Sequence, residues 1–470
     1  MGQIVRGAWL LAYAVVVACD GDPASECVAG QTQPCSCAPR GAGVRFCQSG
    51  AWDPCSCPPG PWDDASGPPS PDASGPPPPE CDGQENAPTA DRIMAAGDSF
   101  TCVARYGDVL CWGANDSGQL GQGDPAWAGI EGGPEWIPRL HGVVSIDAHG
   151  QAVCATTEDG GVVCWGEPLR VEDDLSECEG DARCGYTPRP VQGLGPVRSV
   201  ALGNEFRCAV DSIGLASCWG SNGAGQLGDG TTIDRSWPAA VSALGPLAHL
   251  AASDASACGA DVRGDVFCWG LAVDGNIGIL GGAECRCAWA PAAQPTLCDI
   301  VEVDQGQYHT CARSKTGQVH CWGNGMYGQL GVLGLPVSCA RGGPPFPCTR
   351  APQRVADLDD AVQIALGAFH TCVLRSTGTV SCWGLAEDGV LAQTLATPST
   401  CHDFNGRDVQ CFLVPTPVMG LSDVVAIAAG RRHTCAMRST GTVACWGDNE
   451  RRQLGGIDRG PRLAEVPLPE

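Results

Sequence analysis

Short apolar runs recur along most of the chain, and glycines and small polar residues separate them. In the last copy, residues 424–447, the runs are rich in small and β-branched residues. They predict three strands, with a tight turn at Ser439-Thr440-Gly441. A further run with Pro and Val, for example residues 188–191 or 352–355, precedes a copy and predicts a fourth strand. A helical period is nowhere sustained, so the pattern predicts an all-β protein.

One sequence phrase marks each copy: a cysteine, eight or nine residues, and then Cys-Trp-Gly. The phrase occurs seven times, at intervals of 50 to 63 residues. Its Cys-Trp-Gly begins at Cys111, Cys164, Cys218, Cys268, Cys321, Cys382 and Cys445. Repeats of this length, each with four antiparallel strands, are typical of propeller blades, whose radial closure leaves only short sheet edges exposed. We therefore predict a seven-bladed β-propeller of four-stranded blades.

Several repeated phrases carry a family resemblance. They are His-Thr-Cys-Ala, Ser-Thr-Gly-Thr-Val, Cys-Trp-Gly and the Gly-Gln-Leu-Gly of residues 118–121, 225–228 and 328–331. Over residues 91–470 the chain resembles the regulator of chromosome condensation repeat family. The resemblance implies a seven-bladed propeller. That family includes guanine-nucleotide exchange factors, photoreceptors and secreted bacterial inhibitors, so the fold does not select a function.

The two cysteines of each copy flank one hairpin turn, so they can lie opposite each other on adjacent strands. Cross-strand Cα atoms lie about 4.5–5.5 Å apart, a separation that a disulfide accepts. We predict one disulfide in each blade, and the alternative is a buried pair of free thiols. The pairs are Cys102–Cys111, Cys154–Cys164, Cys208–Cys218, Cys258–Cys268, Cys311–Cys321, Cys372–Cys382 and Cys435–Cys445. Side-chain alternation sends the neighbouring Trp to the other face, where it would pack between blades.

Cysteine content and the N-terminus both indicate export. Thirty-one cysteines in 470 residues indicate an oxidising compartment. Residues 1–18 contain one charge, Arg6, and then an apolar stretch of signal-peptide length. Val16-Val17-Ala18-Cys19 resembles a bacterial lipobox, so we predict lipidation of Cys19 and anchoring to a membrane of the cell envelope, with the protein facing the surface or the periplasm. The alternative is an ordinary signal peptide cleaved near Ala18.

Two further segments precede the propeller. Residues 19–57 hold the predicted lipidated N-terminus at Cys19 and six further clustered cysteines, which predict a small disulfide-rich module, because so short a segment buries too little core to fold unaided. A zinc site is the alternative use of these thiols. Residues 58–90 are rich in Pro, Gly and Ser and predict an extended linker.

The remaining cysteines lie in insertions that follow the Cys-Trp-Gly strands, on one face of the disc. Their spacing predicts three local pairs: Cys178–Cys184, Cys339–Cys348 and Cys401–Cys411. Cys285, Cys287 and Cys298 form a trio, one of which would pair with Cys81. Long connections on a rigid scaffold commonly carry binding surfaces, and disulfides would lower their ordering cost.

The ends of the propeller region suggest how the ring closes. The first copy begins near Arg92 without a Pro-Val run, and the chain ends with such a run at residues 461–467. We therefore expect the last segment to complete the first blade.

Candidate catalytic and metal-binding chemistry is sparse. His309, His370 and His433 occupy equivalent repeat positions, where a ring of imidazoles would suit a metal. Phe, Ala or Ser stands at that position in the other copies, which favours a packing role. Hydrolase, zinc-protease and phosphate-loop motifs are absent from the sequence, and we predict no cofactor and no enzymatic activity. A net charge of −24 disfavours nucleic acid and anionic membrane surfaces as partners.

We therefore predict a non-enzymatic, monomeric lipoprotein of the cell envelope. Its stapled insertion loops would bind a protein or glycan partner, and the membrane would be reached only through the lipid anchor. One alternative is an exported lyase or hydrolase that acts on carbohydrate, which carboxylates converging in one pocket would favour. The other is a structural envelope component without a dedicated ligand.

Overall fold

The computed structural model describes residues 32–36, 42–48, 51–52, 93–123, 132–167, 169, 185–272, 274–278, 287–294, 296–335, 337–339, 346–392, 396–456 and 463–469. Three short strands precede the propeller and form one antiparallel sheet in chain order. They are β1 (Thr32–Ser36), β2 (Ala42–Gln48) and β3 (Ala51–Trp52). The predicted signal peptide, the lipidation residue Cys19 and the linker lie outside the described residues.

Seven antiparallel sheets follow, and each is one propeller blade. Blade 1 consists of β4 (Met94–Ala96), β5 (Phe100–Arg105), β6 (Asp108–Gly113) and β7 (Gly132–Trp136). Blade 2 consists of β8 (Val143–His149), β9 (Ala152–Thr157), β10 (Val162–Gly166) and β11 (Arg189–Pro190). Blade 3 consists of β12 (Val197–Leu202), β13 (Phe206–Asp211), β14 (Ala216–Gly220) and β15 (Arg235–Ala240). Blade 4 consists of β16 (Leu247–Ser253), β17 (Ser256–Asp261), β18 (Val266–Leu271) and β19 (Cys287–Ala293).

Blades 5 and 6 each have a fifth strand beyond the four that were predicted. Blade 5 consists of β20 (Ile300–Gln305), β21 (His309–Ser314), β22 (Val319–Asn324), β23 (Val337–Cys339) and β24 (Phe346–Arg354). Blade 6 consists of β25 (Ala361–Leu366), β26 (His370–Arg375), β27 (Val380–Leu385), β28 (Ser399–His402) and β29 (Asp408–Pro417). Blade 7 consists of β30 (Val424–Ala429), β31 (His433–Arg438), β32 (Val443–Gly447) and β33 (Ala464–Glu465). The all-β, seven-bladed prediction is confirmed.

The expected closure of the ring is wrong. The last strand, β33, pairs with β32 of its own blade, and blade 1 has a fourth strand of its own in β7. The Pro-Val run therefore ends a blade and does not begin the next one. Blades 7 and 1 meet through their faces: Val466 and Leu454 pack with Trp112 and Met94 in one buried cluster.

The glycine of Cys-Trp-Gly is required by the backbone. Its φ is +111° at Gly113 and +110° at Gly220, a backbone region that residues other than glycine rarely adopt. A Cβ atom at Gly113 would also lie only 2.8 Å from Cα of Phe100 on the neighbouring strand. In most blades the register with the fourth strand shifts between the Cys and this Gly, so the Trp between them has a register partner on the second strand and none on the fourth.

The hydrophobic core lies between blades. One cluster joins Leu120 and Ile137 of blade 1 to Ile146, Val153 and Trp165 of blade 2. All seven repeat tryptophans are buried in this way. Burial of so large a side chain contributes about 2–3 kcal/mol of hydrophobic free energy, so the tryptophans supply much of the contact that holds neighbouring blades together.

Each blade contains a disulfide between its second and third strands. The seven bonds join Cys102–Cys111, Cys154–Cys164, Cys208–Cys218, Cys258–Cys268, Cys311–Cys321, Cys372–Cys382 and Cys435–Cys445. Their Cα atoms lie 4.0 to 4.1 Å apart, because the two residues are directly opposite in the antiparallel register. Within the described ranges, no helix has the length and apolar character needed to cross a membrane.

Candidate functional site

The insertions of blades 5 and 6 are ordered hairpins. In blade 5, β23 pairs with the start of β24, and in blade 6, β28 pairs with the start of β29. Disulfides close both hairpins, between Cys339 and Cys348 and between Cys401 and Cys411. Connections between first and second strands and between third and fourth strands lie at the same end of an antiparallel blade. We call this end the insertion face, and the other end the opposite face.

The blade 6 hairpin has two different sides because its residues alternate. Cys401, Val409 and Cys411 are buried and pack with the blade 5 hairpin through Phe346 and Cys348. The partners between them in the register, Thr400 with Gln410 and His402 with Asp408, are exposed. The hairpin is therefore a wall with one apolar side and one polar side.

Five aromatic rings lie together on the apolar side of this wall. Tyr308 stacks on Phe369 with ring centroids 5.0 Å apart, and Tyr327 contacts Phe369 edge-on at 4.9 Å. Phe404, at the tip of the blade 6 hairpin, lies 6.0 Å from Phe346 and 6.3 Å from Tyr327. The two stapled insertions are thus joined by an aromatic cluster.

This aromatic cluster reaches solvent at one ring. The Phe404 side chain is 42% exposed, whereas Tyr327 and Phe346 are buried. Burial, with the charges of Asp403 and Glu387 nearby, raises the pKa of Tyr327 to about 12, so its hydroxyl stays protonated. An exposed aromatic ring supported by a buried cluster is a preorganised contact surface.

An open cleft of about 920 Å³ lies on the polar side of the wall, between blades 6 and 7. Its charged lining consists of five carboxylates and two arginines: Glu387, Asp388, Asp408, Asp448, Glu450, Arg407 and Arg432. Arg407 bridges to Glu387 at 3.6 Å, and Arg432 pairs with Asp388. Among the described residues, Asp448 and Glu450 have no arginine or lysine partner, although Asp448 accepts a hydrogen bond from the backbone N–H of Glu450.

The equivalent histidines lie away from this cleft and join blades. The Thr371 hydroxyl donates to the carbonyl of Gln329 at 2.9 Å, so its oxygen is left to accept a hydrogen bond from Nε2 of His309 at 2.8 Å. His370 contacts Thr434 and His433 contacts Thr101 in the same way. Each contact links one blade to the next.

Burial keeps these three histidines neutral. It lowers the pKa of His309 and that of His370 to about 3, and it lowers the pKa of His433 to about 4. Within the described part of the chain, no group of three or more His, Cys, Asp or Glu residues could hold a metal ion. The hydrogen bonds of the three histidines to the next blade are consistent with the packing role that their variation between copies predicts.

A different contact joins two blades that are not neighbours in the ring. Nε2 of His149 in blade 2 lies 3.0 Å from a carboxylate oxygen of Asp254 in blade 4. Burial acts to lower the pKa of His149, but the hydrogen bond with Asp254 and the charges of Asp98 and Asp147 outweigh it, and the pKa is raised overall. Burial correspondingly acts to raise the pKa of Asp254, and His149 lowers it overall. The pair holds non-adjacent blades together.

The structure brings together two of the three predicted insertion pairs, Cys339–Cys348 and Cys401–Cys411. The third, Cys178–Cys184, lies outside the described residues, as do Cys81 and Cys285. Cys287 and Cys298 are each disulfide-bonded.

The sequence analysis missed both the aromatic cluster and the cleft. The aromatic residues are spread over residues 308–404, and the repeated phrases beside Tyr308, Tyr327 and Phe369 do not themselves require an aromatic side chain there. One signal was available: Phe346 and Phe404 both lie inside stapled insertions, where aromatic residues have no role in blade packing.

Comparison with protein-family models identifies the repeats. The Regulator of chromosome condensation (RCC1) repeat model matches residues 300–329, 361–389 and 424–453, and a second model of that repeat matches residues 316–374 and 377–437. The chain is 29% identical over 375 residues to the Ultraviolet-B receptor UVR8 of Arabidopsis thaliana, which covers 77% of this chain and 66% of UVR8. It is 34% identical over 297 residues to the probable E3 ubiquitin-protein ligase HERC6 of Homo sapiens, and that alignment covers 60% of this chain and 22% of HERC6. The chain thus matches less than two thirds of the length of either relative.

Solved structures show the same fold. Prp20p of Saccharomyces cerevisiae superposes with a TM-score of 0.65 at 21% identity, over 78% of this chain and 87% of Prp20p. Human WBSCR16 superposes with a TM-score of 0.56 at 18% identity, over 76% of this chain and 87% of WBSCR16. The chain is therefore a seven-bladed β-propeller, and its residues 300–453 match regulator of chromosome condensation repeats.

Proposed function

We propose that this propeller is a non-enzymatic binding protein, and that it holds a protein partner on the insertion face of blades 5 and 6. The observation that carries the proposal is the pair of disulfide-closed hairpins packed around the aromatic cluster, with Phe404 exposed at its edge. Exposed aromatic side chains in rigid surroundings are the common anchors of protein interfaces. Disulfides that fix the hairpins in advance lower the ordering cost of association.

Relatives support protein binding as a use of this fold. Prp20p was crystallised and characterised for its binding to Gsp1p and histones, and yeast RCC1 (Prp20) was also crystallised with Kap60. Five carboxylates converge in the cleft, and this is the feature that favours the exported lyase or hydrolase as a second candidate function. Arginines pair with two of the five, Glu387 and Asp388, an arrangement suited to a charged recognition surface.

The proposed setting is the cell envelope. The protein would be a monomer that is exported through the segment 1–18 and anchored by lipidation of Cys19. The residues that end at Cys19 resemble a lipobox. The disulfides in all seven blades support an oxidising compartment, because cytosolic thiols are kept reduced. A cytosolic GTPase would not meet such a protein. The binding face would then project into the periplasm or to the cell surface.

Affinity capture from an envelope extract tests this proposal. The bait is the full oxidised chain, compared with a variant in which residues 337–348 and 399–411 are replaced by short turns. A matched control carries Tyr106→Ser and Ile213→Ser, which remove exposed side chains from turns on the opposite face. We expect the bait and the control to retain one partner and the shortened variant to lose it. A partner that survives shortening would contradict the proposal, and turnover of an envelope polysaccharide would favour the enzyme alternative.

A further inference from the structure

The cleft beside the stapled hairpin indicates what kind of partner the insertion face accepts. This inference rests on the proposed function and adds the chemistry of the partner. The polar side of the hairpin forms one wall of the cleft through Thr400, Asp408 and Gln410. Since the Cys401–Cys411 disulfide and the aromatic cluster hold the other side, the wall is fixed before a partner arrives.

The opposite wall and floor determine the charge of the cleft. Asp448 and Glu450 follow the third strand of blade 7. Glu387 and Asp388 form a 3-10 turn after the third strand of blade 6. Together with Asp408 these make five carboxylates against two arginines, so the lining carries a net charge of −3 when all are ionised. An open cleft of this charge attracts cationic side chains, because the low-dielectric walls concentrate its field.

An apolar contact lies at the tip of the hairpin that separates the aromatic cluster from this cleft. Phe404 and Arg407 belong to the same hairpin turn, where the Asp403 carboxylate accepts hydrogen bonds from the backbone N–H groups of Asn405 and Arg407. Phe404 points toward the aromatic cluster and Arg407 toward the cleft. A ligand segment that passes over this turn would meet the exposed ring on one side of the hairpin and the cleft on the other.

We propose that the insertion face binds a protein segment in which Lys or Arg side chains adjoin an apolar side chain. The cations enter the cleft between blades 6 and 7 and approach Asp448 and Glu450, which lack basic partners among the described residues. The apolar side chain packs on Phe404. The net charge of −24 adds long-range attraction for the same class of partner and repels nucleic acid.

Fluorescence anisotropy with two synthetic peptides tests this inference on the full oxidised chain. One labelled peptide alternates Lys with Leu and Phe, and its match carries Glu in place of every Lys. We expect the cationic peptide to bind and the anionic one to fail. Asp448→Asn with Glu450→Gln should weaken binding about threefold to thirtyfold, and Phe404→Ala about tenfold. The effect of the charge variant should shrink as salt is raised.

A matched pair of substitutions separates the cleft from bulk charge. Glu158→Gln with Asp159→Asn removes two carboxylates from an exposed turn of blade 2 on the opposite face. Equal weakening by both charge pairs would overturn the inference, as would no binding of the cationic peptide. If the capture experiment still retains a partner that depends on the insertions, only the cationic chemistry has failed. If capture also fails, the proposed function has failed with it.

Discussion

The indole N–H of Trp112 donates a hydrogen bond of 3.0 Å to the backbone carbonyl of Gln453, 341 positions further along the chain. It repeats a contact found within the ring: Trp165 donates to Gln119, Trp269 to Gln226 and Trp383 to Gln329. In each case a Trp of one blade bonds the Gln-Leu-Gly turn of the blade before it. Blades 7 and 1 therefore close the ring with the contact that joins interior blades.

Trp112→Phe tests this closure. Because Phe keeps most of the apolar area but leaves the Gln453 carbonyl without the indole donor, we expect the unfolding free energy to fall by about 1 kcal/mol beyond the packing loss. Trp446→Phe is the matched control, since the buried indole N–H of Trp446 has no partner among the described residues. Guanidinium unfolding under non-reducing conditions measures both. Equal losses in the two variants would show that the hydrogen bond adds nothing to closure.

The closure also shows what the sequence could and could not predict. The period of Cys-Trp-Gly predicted the blade number, and the alternation around it predicted both the disulfides and the buried tryptophans. The boundary of a blade could not be predicted, because a repeating sequence has the same period wherever a unit is said to begin. Only the hydrogen bonds of β33 with β32, and of β7 with β6, assign the Pro-Val run to the end of each blade. The aromatic cluster could not be predicted for another reason: Phe346 of blade 5 and Phe404 of blade 6 meet only after the two blades pack.

A correlation between repeat positions explains the first-to-second strand turns. Blades in which the second strand begins with Phe or His have Gly three residues before that residue, as in Gly97 before Phe100. A Cβ atom at Gly97 would overlap the Phe100 ring. In blade 2 the second strand begins with Ala152, and His149 stands in place of the Gly. The small residue thus makes room for the side chain that reaches Asp254.

Gly97→Ala should lower the unfolding free energy by about 1–3 kcal/mol, because the added methyl group overpacks this turn. Gly245→Ala is the control, since a Cβ atom there meets nothing within 4 Å. The double variant Gly97→Ala with Phe100→Ala should lose less than the sum of the single losses, with a coupling of about 1 kcal/mol. Thermal and chemical unfolding measure the cycle. Strict additivity would mean that the ring does not cause the clash.

The three buried histidines predict weaker folding in mild acid. Their folded pKa values, about 3 for His309 and His370 and about 4 for His433, lie below the ordinary value of 6.5. Unfolded chains therefore bind more protons between pH 6.5 and 4. The stability is fully present above pH 6.5 and is lost as pH falls, by up to about 1.4 kcal/mol per pH unit for each histidine.

Replacing all three with Phe, the residue found at this position in blades 1 and 3, should flatten that dependence. His149 affects stability in a different pH range, because its pKa is raised. Its contribution to the unfolding free energy is present below pH 6.5 and is lost as pH rises above that value. Guanidinium midpoints measured from pH 4 to 6.5 provide the comparison. An unchanged slope in the triple variant would contradict burial of neutral imidazoles.

The two kinds of disulfide should differ in what they stabilise. Removing the blade bond with Cys372→Ser and Cys382→Ser should lower the global unfolding free energy by about 2–3 kcal/mol, because the bond closes a loop inside the buried core. Removing the insertion bond with Cys401→Ser and Cys411→Ser should instead increase amide hydrogen exchange mainly in residues 399–411. Exchange that spreads through blade 6 in the second variant would show that the insertion is part of the blade's folding unit.

Photo-crosslinking at Phe404 tests the central claim most directly. A photoreactive phenylalanine analogue is placed at Phe404 in the full oxidised chain, and at Ile213, 69% exposed on the opposite face, in a matched protein. After irradiation in envelope extract, we predict a covalent adduct with one protein partner from the Phe404 position and none from Ile213. An adduct from Ile213 alone, or equal adducts from both positions, would contradict binding through the insertion face.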